Sequence, residues 1–581
     1  MRTYARLLVL VLAVGGFIFL LAERPGAHAN PTTYTVNSTA DPGDGVCDAT
    51  ECTLSEAIDA ANGNPGTDTI AFNIPGEGPH TIRPTLPLWD IIDSVIIDGY
   101  TQPGASPNTN GPGLGTDAVL KVELDGSNAG DYGWGLRLIR GSSTVRGLVI
   151  NRYFLGAGIY IDDEGGNIIE GNFIGTDVSG TAALGNGIGL VIETSLNTIG
   201  GTTPEARNVI SGNNGEGVYM YFGGGNVVEG NFIGLDATGT AGLPNDGFGV
   251  NIYTSSENVI GGTIPQARNV ISINGGSGVH FGSGANGNFV EGNYIGTDVT
   301  GTTTPIYDPW FSTQFGVLLE DASNNTIGGT TAGAGNVISG RNDDGIGILG
   351  SGATGNTIEG NFIGTDATGS AALGNLSEGV NLFAEASGNT IGGTASGAGN
   401  VIAYNGSNGV RVYGAGTEAD AIRANSIHSN AAKGIENESG GNTELAPPVI
   451  TGFGSVMGTA CPNCTVDVYS DDEDEGRVYE GSTTADGTGN WILGGLPEGP
   501  NATATATDAA GNTSEFSAPV PTPPPAVGGT IELRSDGLGT ARLPDESGSS
   551  VPYAPLAAAL ATGTISVAVA WRYAKRRWLR R

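Results

Sequence analysis

The sequence predicts an all-β chain, a right-handed parallel β-helix followed by a small antiparallel β-sandwich. Three observations carry this expectation: one phrase written four times, short runs of alternating apolar residues, and 100 glycines among 581 residues. Glycine at that density, without a Gly-X-Y period, excludes collagen and fits many tight turns between short strands.

The phrase is "EGN(F/Y)IG". It begins at Glu170, Glu229, Glu291 and Glu359, at intervals of 59, 62 and 68 residues. A second phrase, "N(T/V)IGGT", interleaves from Asn197, Asn258, Asn325 and Asn389, each copy followed by "NVI". A third pattern, such as "GVYM" at Gly217, "GVNI" at Gly249 and "GVHF" at Gly278, divides each unit in two. One step is therefore three short strands, "G-V-x-I", "N-x-I-x-G" and "N-x-I", joined by turns. Alternation sends Ile and Val to one face. With no hairpin signature, and steps too long for a meander, each coil is expected to stack on the next. Asn172, Asn231, Asn293 and Asn361 are expected to form a turn ladder. Their side chains would bond neighbouring backbone while their own backbone takes left-handed angles.

The repeated acids leave two readings open. Asp177, Asp236, Asp298 and Asp366 either hold calcium within each loop or cap turn amides. Equivalent residues two coils apart lie about 9.5 Å from each other. Two oxygens on one calcium are separated by at most roughly 5 Å, so no ion bridges successive copies directly. Calcium is the one ion these acids could take; no other cofactor is expected. The recurring aromatic (Phe173, Phe232, Tyr294, Phe362) is either a stripe for stacking on sugar rings or a packing element.

The remaining segments follow in order. Residues 1–29 read as a signal peptide, with a basic start, an apolar run and the small-x-small site "AHA". Residues 30–65 form an N-terminal cap and 66–445 the solenoid. Residues 446–518, with "TVDVYSD" and "ATATATDAAGNTSEFS", read as the sandwich. A Pro-rich spacer (519–550) follows. Residues 551–571 carry no charge and are long enough to cross a bilayer, and the tail 572–581 holds six basic residues. The expectation is export to a bacterial cell surface with a C-terminal transmembrane anchor. The cysteines fall in two close pairs, Cys47/Cys52 and Cys461/Cys464, and each pair predicts a local disulfide. The net charge of −35 excludes nucleic acid as a partner.

The repeat resembles the pectate-lyase-like β-helix superfamily. Residues 34–62 resemble the start of CSLREA-domain proteins: Cys52, Thr53, Leu54, Ser55, Glu56 and Ala57 stand at the consensus positions, with Thr and Ser replacing a Ser and the Arg. That resemblance implies a short helix and strand capping the solenoid of an exported bacterial protein. The sandwich resembles bacterial immunoglobulin-like modules, and "LPDES" resembles a sortase signal with Glu546 and Ser547 in place of Thr and Gly.

Catalytic residues are not expected. The polygalacturonase signatures "GHG" and "RIK" are absent, the mature histidines His80, His280 and His428 stand in no matching constellation, and Arg423 is the best isolated base. The expected function is that of a non-catalytic adhesin or glycan-binding stalk, with extracellular polysaccharide or another cell surface as partner. The alternative is a polysaccharide lyase or hydrolase with an unrecognised site, which an exposed carboxylate pair in a groove would favour.

Overall fold

The computed structural model describes residues 31–130, 133–305, 315–453, 455–495 and 497–523. Among them, three parallel sheets of 13, 12 and 11 strands run side by side along one solenoid. The 13-stranded sheet runs from Thr33–Val36 to Ala421–Arg423. The 12-stranded sheet runs from His80–Ile82 to Ser426–His428, and the 11-stranded sheet from Leu136–Leu138 to Ile435–Glu438. A single coil visits all three: Ile168–Glu170, Phe173–Ile174, Ile188–Ile192, then Thr198–Gly200 one rung on. The β-helix is thus present with one "N-x-I-x-G", one "N-x-I" and one "G-V-x-I" strand per coil.

The alternating Ile and Val residues fill the bore. Ile169, Ile199 and Val228 from the first sheet, Ile174, Ile210 and Ile233 from the second, and Leu190, Val218 and Met220 from the third are all fully buried in one continuous core. Each such side chain contributes roughly 1.5–3 kcal/mol of burial, and a parallel sheet stack shares that gain from rung to rung. At the start, the helix Leu54–Asn62 adds Leu54, Ala57, Ile58 and Ala61 to the same core. Thr53 and Glu56 close its first turn as a reciprocal capping box.

Asparagine ladders line three corners of the coil. In the second, Asn361 donates its backbone N–H and Nδ2 to Oδ1 of Asn400, both at 2.9 Å, and its Nδ2 also reaches the Ile327 and Glu359 carbonyls. Its own Oδ1 accepts the same two bonds from Asn336. Asn172, Asn231 and Asn293 hold equivalent rungs, fully buried. These four asparagines lie outside the left-handed region. The preceding Gly171, Gly230, Gly292 and Gly360 carry the positive φ instead, +64° to +76°. A Cβ on Gly360 would run into the carbonyl oxygens of Gly329 and Gly397, so the position requires glycine. The other ladders run through Asn197, Asn258, Asn325 and Asn389, and through Asn186, Asn213, Asn245 and Asn375.

Two antiparallel sheets, of three and four strands, follow at residues 449–521 and share a core of Val466, Val468, Trp491 and Ala502. They seat directly on the last coil. Arg423 forms a two-pronged ion pair with Asp467, both bonds at 2.8 Å; Ala424 N–H donates to the Tyr469 hydroxyl and Ile422 N–H to Thr513. Ile427 pairs with Gly476. This module satisfies backbone groups that an open solenoid end would leave exposed. Disulfides join Cys47 to Cys52 and Cys461 to Cys464.

One expectation is overturned. Among the described residues no helix is long and apolar enough to cross a membrane. A span needs about 20 apolar helical residues, and Leu54–Asn62 has nine. The C-terminal anchor, and cell-surface retention through it, therefore have no support. The segments 1–29, 551–571 and 572–581, on which the leader, span and tail were placed, lie outside the described residues.

Candidate functional site

The repeated acids sit in turns. Asp366 Oδ1 accepts from the N–H groups of Thr368, Ser370 and Ala371 and from Thr368 Oγ1, at 2.7–3.3 Å. Burial acts to raise this carboxyl, but the bonds from Thr368 and the loop amides outweigh it and hold it below the usual range. Asp177, Asp236 and Asp298 make the same turn with Ser179, Thr238 and Thr300. Among the described residues, the one trio of acids close enough to share a cation is Asp44, Glu51 and Glu56. Glu56 there is already engaged by Thr53 and Gly45 N–H. The outward glutamates Glu229, Glu291 and Glu359 are raised by burial alone.

The loops are not isolated from one another. Ala237 N–H donates to Gly180 O, Val299 N–H to Gly239 O and Ala367 N–H to Gly301 O, each at 2.9 Å. Stacked in this way, they cover the outward aromatics. Phe173 and Phe232 join Val209, Leu235, Ala237 and Val299 in a second apolar layer outside the bore, with Tyr294 packed against it. Arg207 lies 4.5 Å over Phe232 and Arg268 4.0 Å over Tyr294. Phe173, Phe232 and Tyr294 are therefore spent on packing.

A different face gathers polar and aromatic side chains: the outer side of the 11-stranded sheet, where Val191, Asn251, His280 and Leu318 are buried and the tyrosines are partly exposed. The variable x of "G-V-x-I" points away from the bore. Register places Tyr160, Val191, Tyr219, Asn251 and His280 in one row, continued past Leu318 and Gly347 by Asn381 and Arg411. Tyr221 and Tyr253 pair beside it. Rings cluster along it: Trp134 stacks on Tyr160 at 4.9 Å, Tyr221 on Tyr219 at 5.8 Å and on Tyr253 at 5.9 Å, and Phe248 on His280 at 4.3 Å. Phe222, half exposed, adds a ring 4.0 Å from Tyr221.

Acids flank these rings. Burial and a hydrogen bond to Glu193 push the Tyr160 hydroxyl up to about 12. Asn251 bridges Glu216 at 3.4 Å and His280 at 3.0 Å, and His280 reaches Glu320 at 3.3 Å. Burial lowers the His280 imidazole in spite of Glu320, so the ring is neutral at neutral pH. Further along, Asp344 and Glu378 lie against each other. Burial and Glu378 push Asp344 up to about 7. Bonds from Asp344 and Ser407 hold Glu378 down against the opposing effect of burial. His280 was read from the sequence as a structural strand histidine; it stands on this outer row. Arg423 is consumed by Asp467. The face itself was missed, although its signal was present in the x of "G-V-x-I": Tyr, Tyr, Asn, His, Asn and Arg where other copies carry Val, Leu or Gly.

No protein-family profile matches the chain, and no curated protein matches it. Among solved structures, the chain is similar to the A-module of mannuronan C-5 epimerase AlgE6 from Azotobacter vinelandii. Identity is 18% over 70% of this chain and 98% of that one, with a TM-score of 0.42. The AlgE4 A-module of the same organism follows at 16%, covering 68% and 95%, TM-score 0.36. A tailspike protein mutant of E. coli bacteriophage HK620, in complex with pentasaccharide, is 12% identical over 80% and 91%, TM-score 0.23. Likeness at this level says nothing about the activity of this chain, and the fold is read from its own sheets.

Proposed function

We propose that the protein is a glycan-binding β-helix, a stalk or adhesin whose 11-stranded face holds an extended polysaccharide. The observation that carries this is the outward row in register: aromatic rings, amides and carboxylates recur along one flat face. Eleven strands at ~4.8 Å make that face roughly 48 Å long, which suits a polymer better than a small molecule. Tyrosine rings offer apolar area together with a polar tip, and Glu193, Glu216 and Glu320 supply acceptors beside them.

Binding without cleavage is favoured by the one intimate carboxylate pair on this face among the described residues. Two-carboxylate glycoside hydrolysis needs acid and base or nucleophile roughly 5–9.5 Å apart across the scissile bond. Asp344 and Glu378 are instead in mutual contact and buried. The same pair supports the alternative of a polysaccharide lyase or hydrolase, because its two pKa values are driven apart as in acid–base couples. A glycan array run beside a turnover screen on the same polysaccharides tests both. Binding without products supports the stalk. Products that vanish in Asp344→Asn replace it with the enzyme, and absence of any binding refutes both.

A further inference from the structure

We infer that the polymer held by the 11-stranded face carries positive charge: an amine-bearing polysaccharide, not a polyuronate. This rests on the glycan reading above and names the substrate class of that site.

The charge pattern along the face is one-sided. Arg137 and Arg411 stand near its two ends. Between them, the strands from Ile188–Ile192 to Val380–Phe383 contain no Lys or Arg. The same stretch presents Glu193 beside Tyr160, Glu216 beside Asn251, Glu320 beside His280, and the Asp344–Glu378 pair. Within these strands the one other group able to carry positive charge is His280, whose charged form burial disfavours; in the flanking corners the buried Arg341 is the basic residue near Asp344 in sequence. A polyuronate would lay carboxylates against these acids in a protein of net charge −35. An ammonium finds acceptors on the glutamates and negative ring faces on the tyrosines.

A second observation points to a ligand at the same place. Backbone bonds align Glu216, Phe248, Ser277, Phe315 and Asp344 in a row that borders the face: Gly189 N–H donates to Glu216 O, Gly217 to Phe248, Gly249 to Ser277, Gly278 to Phe315 and Gly316 to Asp344. Ser277, 1% exposed, stands mid-row, and its Oγ has no hydrogen-bond partner among the described residues. The Oδ1 of Asn381, on the adjacent row, likewise has none. Buried hydroxyl and amide groups without partners are rare. Here both lie within the acidic, ring-bearing stretch, closed off from solvent.

The test is calorimetric titration of the full-chain protein at about pH 6, where amino sugars are protonated. Three probes are used: a glucosamine hexamer, its fully N-acetylated counterpart and a hexauronate. The expected order is the glucosamine hexamer tightest, by about tenfold or more over the neutral hexamer, with no hexauronate binding. Glucosamine affinity should fall as salt rises from about 0.05 to 0.5 M. Glu216→Gln with Glu320→Gln should erase the preference, bringing the affinities for the charged and neutral hexamers together. Equal binding of the charged and neutral hexamers, or tighter binding of the hexauronate, overturns the inference and leaves the glycan reading standing. If neither these probes nor any glycan on the array binds, the glycan reading itself falls. Retention of the preference in the double variant removes the named glutamates from the site and overturns the assignment.

Discussion

Asp420 is a ladder rung of the wrong chemistry, and it predicts a pH-dependent stability. In the ladder that runs through Asn325 and Asn389, Asn356 Nδ2 donates to Ala322 O at 2.9 Å and Asn389 Nδ2 to Ala353 O at 3.0 Å. The next rung is Asp420. Its Oδ1 accepts both the N–H and Nδ2 of Asn389, but its buried Oδ2 has no partner among the described residues. By equivalence that oxygen faces the Ala386 carbonyl, and only a protonated acid can donate there. Burial raises Asp420 from 3.8 to about 7, aided by nearby Glu418 and opposed by the two Asn389 bonds. The folded pKa is above the unfolded one, so the folded state holds the proton more tightly. The stabilisation is complete below about pH 4 and is lost as pH rises to about 7. Three pH units at 1.36 kcal/mol each set a ceiling on the order of 4 kcal/mol. Asp420→Asn restores the donor. Thermal melting of both proteins from pH 4 to 8 should show curves that nearly coincide at pH 4 and an increasingly stabilised variant by pH 8. Glu475, which takes both donors of Asn430 at 3.3 Å and is raised to about 7 chiefly by burial, shifts both proteins alike. A stability difference that does not change with pH, or that favours the wild type at pH 8, refutes the reasoning.

Other substitutions separate ladder from loop. Asn361→Ala strands Asn336 N–H, takes one of the two acceptors of Asn336 Nδ2 and removes the donor to the Ile327 carbonyl in a fully buried corner, so melting should report a loss of about 3–5 kcal/mol. Asp366→Asn should change stability by only about 1 kcal/mol, with or without a calcium chelator, because an amide oxygen still caps the turn, and Glu359→Gln by no more, because it removes a charge that burial disfavours. A large calcium-dependent shift that vanishes in Asp366→Asn would reinstate a metal site. Arg423→Ala leaves the buried Asp467 charge unpaired and should cost about 3–5 kcal/mol, read as faster proteolysis of residues 449–521; unchanged cleavage would mean that the ion pair does not hold the module.

The solenoid was legible because its signals are local and periodic. "G-V-x-I" and "N-x-I" alternate with period two, and glycine or asparagine marks every corner. Backbone handedness was misplaced by one residue: the sequence reads "G-N", and either residue tolerates positive φ, but only the close approach of Gly329 and Gly397 to Gly360 decides for glycine. The fate of Phe173 and Phe232 was hidden, since whether a loop folds over an outward ring depends on its contact with the loop two coils away. Seating of the C-terminal module was equally unreadable. Nothing local connects Arg423 with Asp467, 44 positions apart. The candidate face lies between these cases. Each outward residue was visible as the variable x of its strand, but the row exists only once register aligns coils spaced unequally by their loop insertions.

The most direct test of the glycan-binding account compares two faces of the same solenoid. The polysaccharide that gives the strongest signal on a glycan array is titrated into three proteins: wild type, Tyr219→Ala with Tyr253→Ala on the 11-stranded sheet, and Glu229→Gln with Glu291→Gln on the 13-stranded sheet. The account predicts that the tyrosine variant loses at least about tenfold in affinity, about 1.4 kcal/mol, at unchanged melting temperature, while the glutamine variant binds as wild type does. Full binding by the tyrosine variant, or loss confined to the glutamine variant, would contradict it.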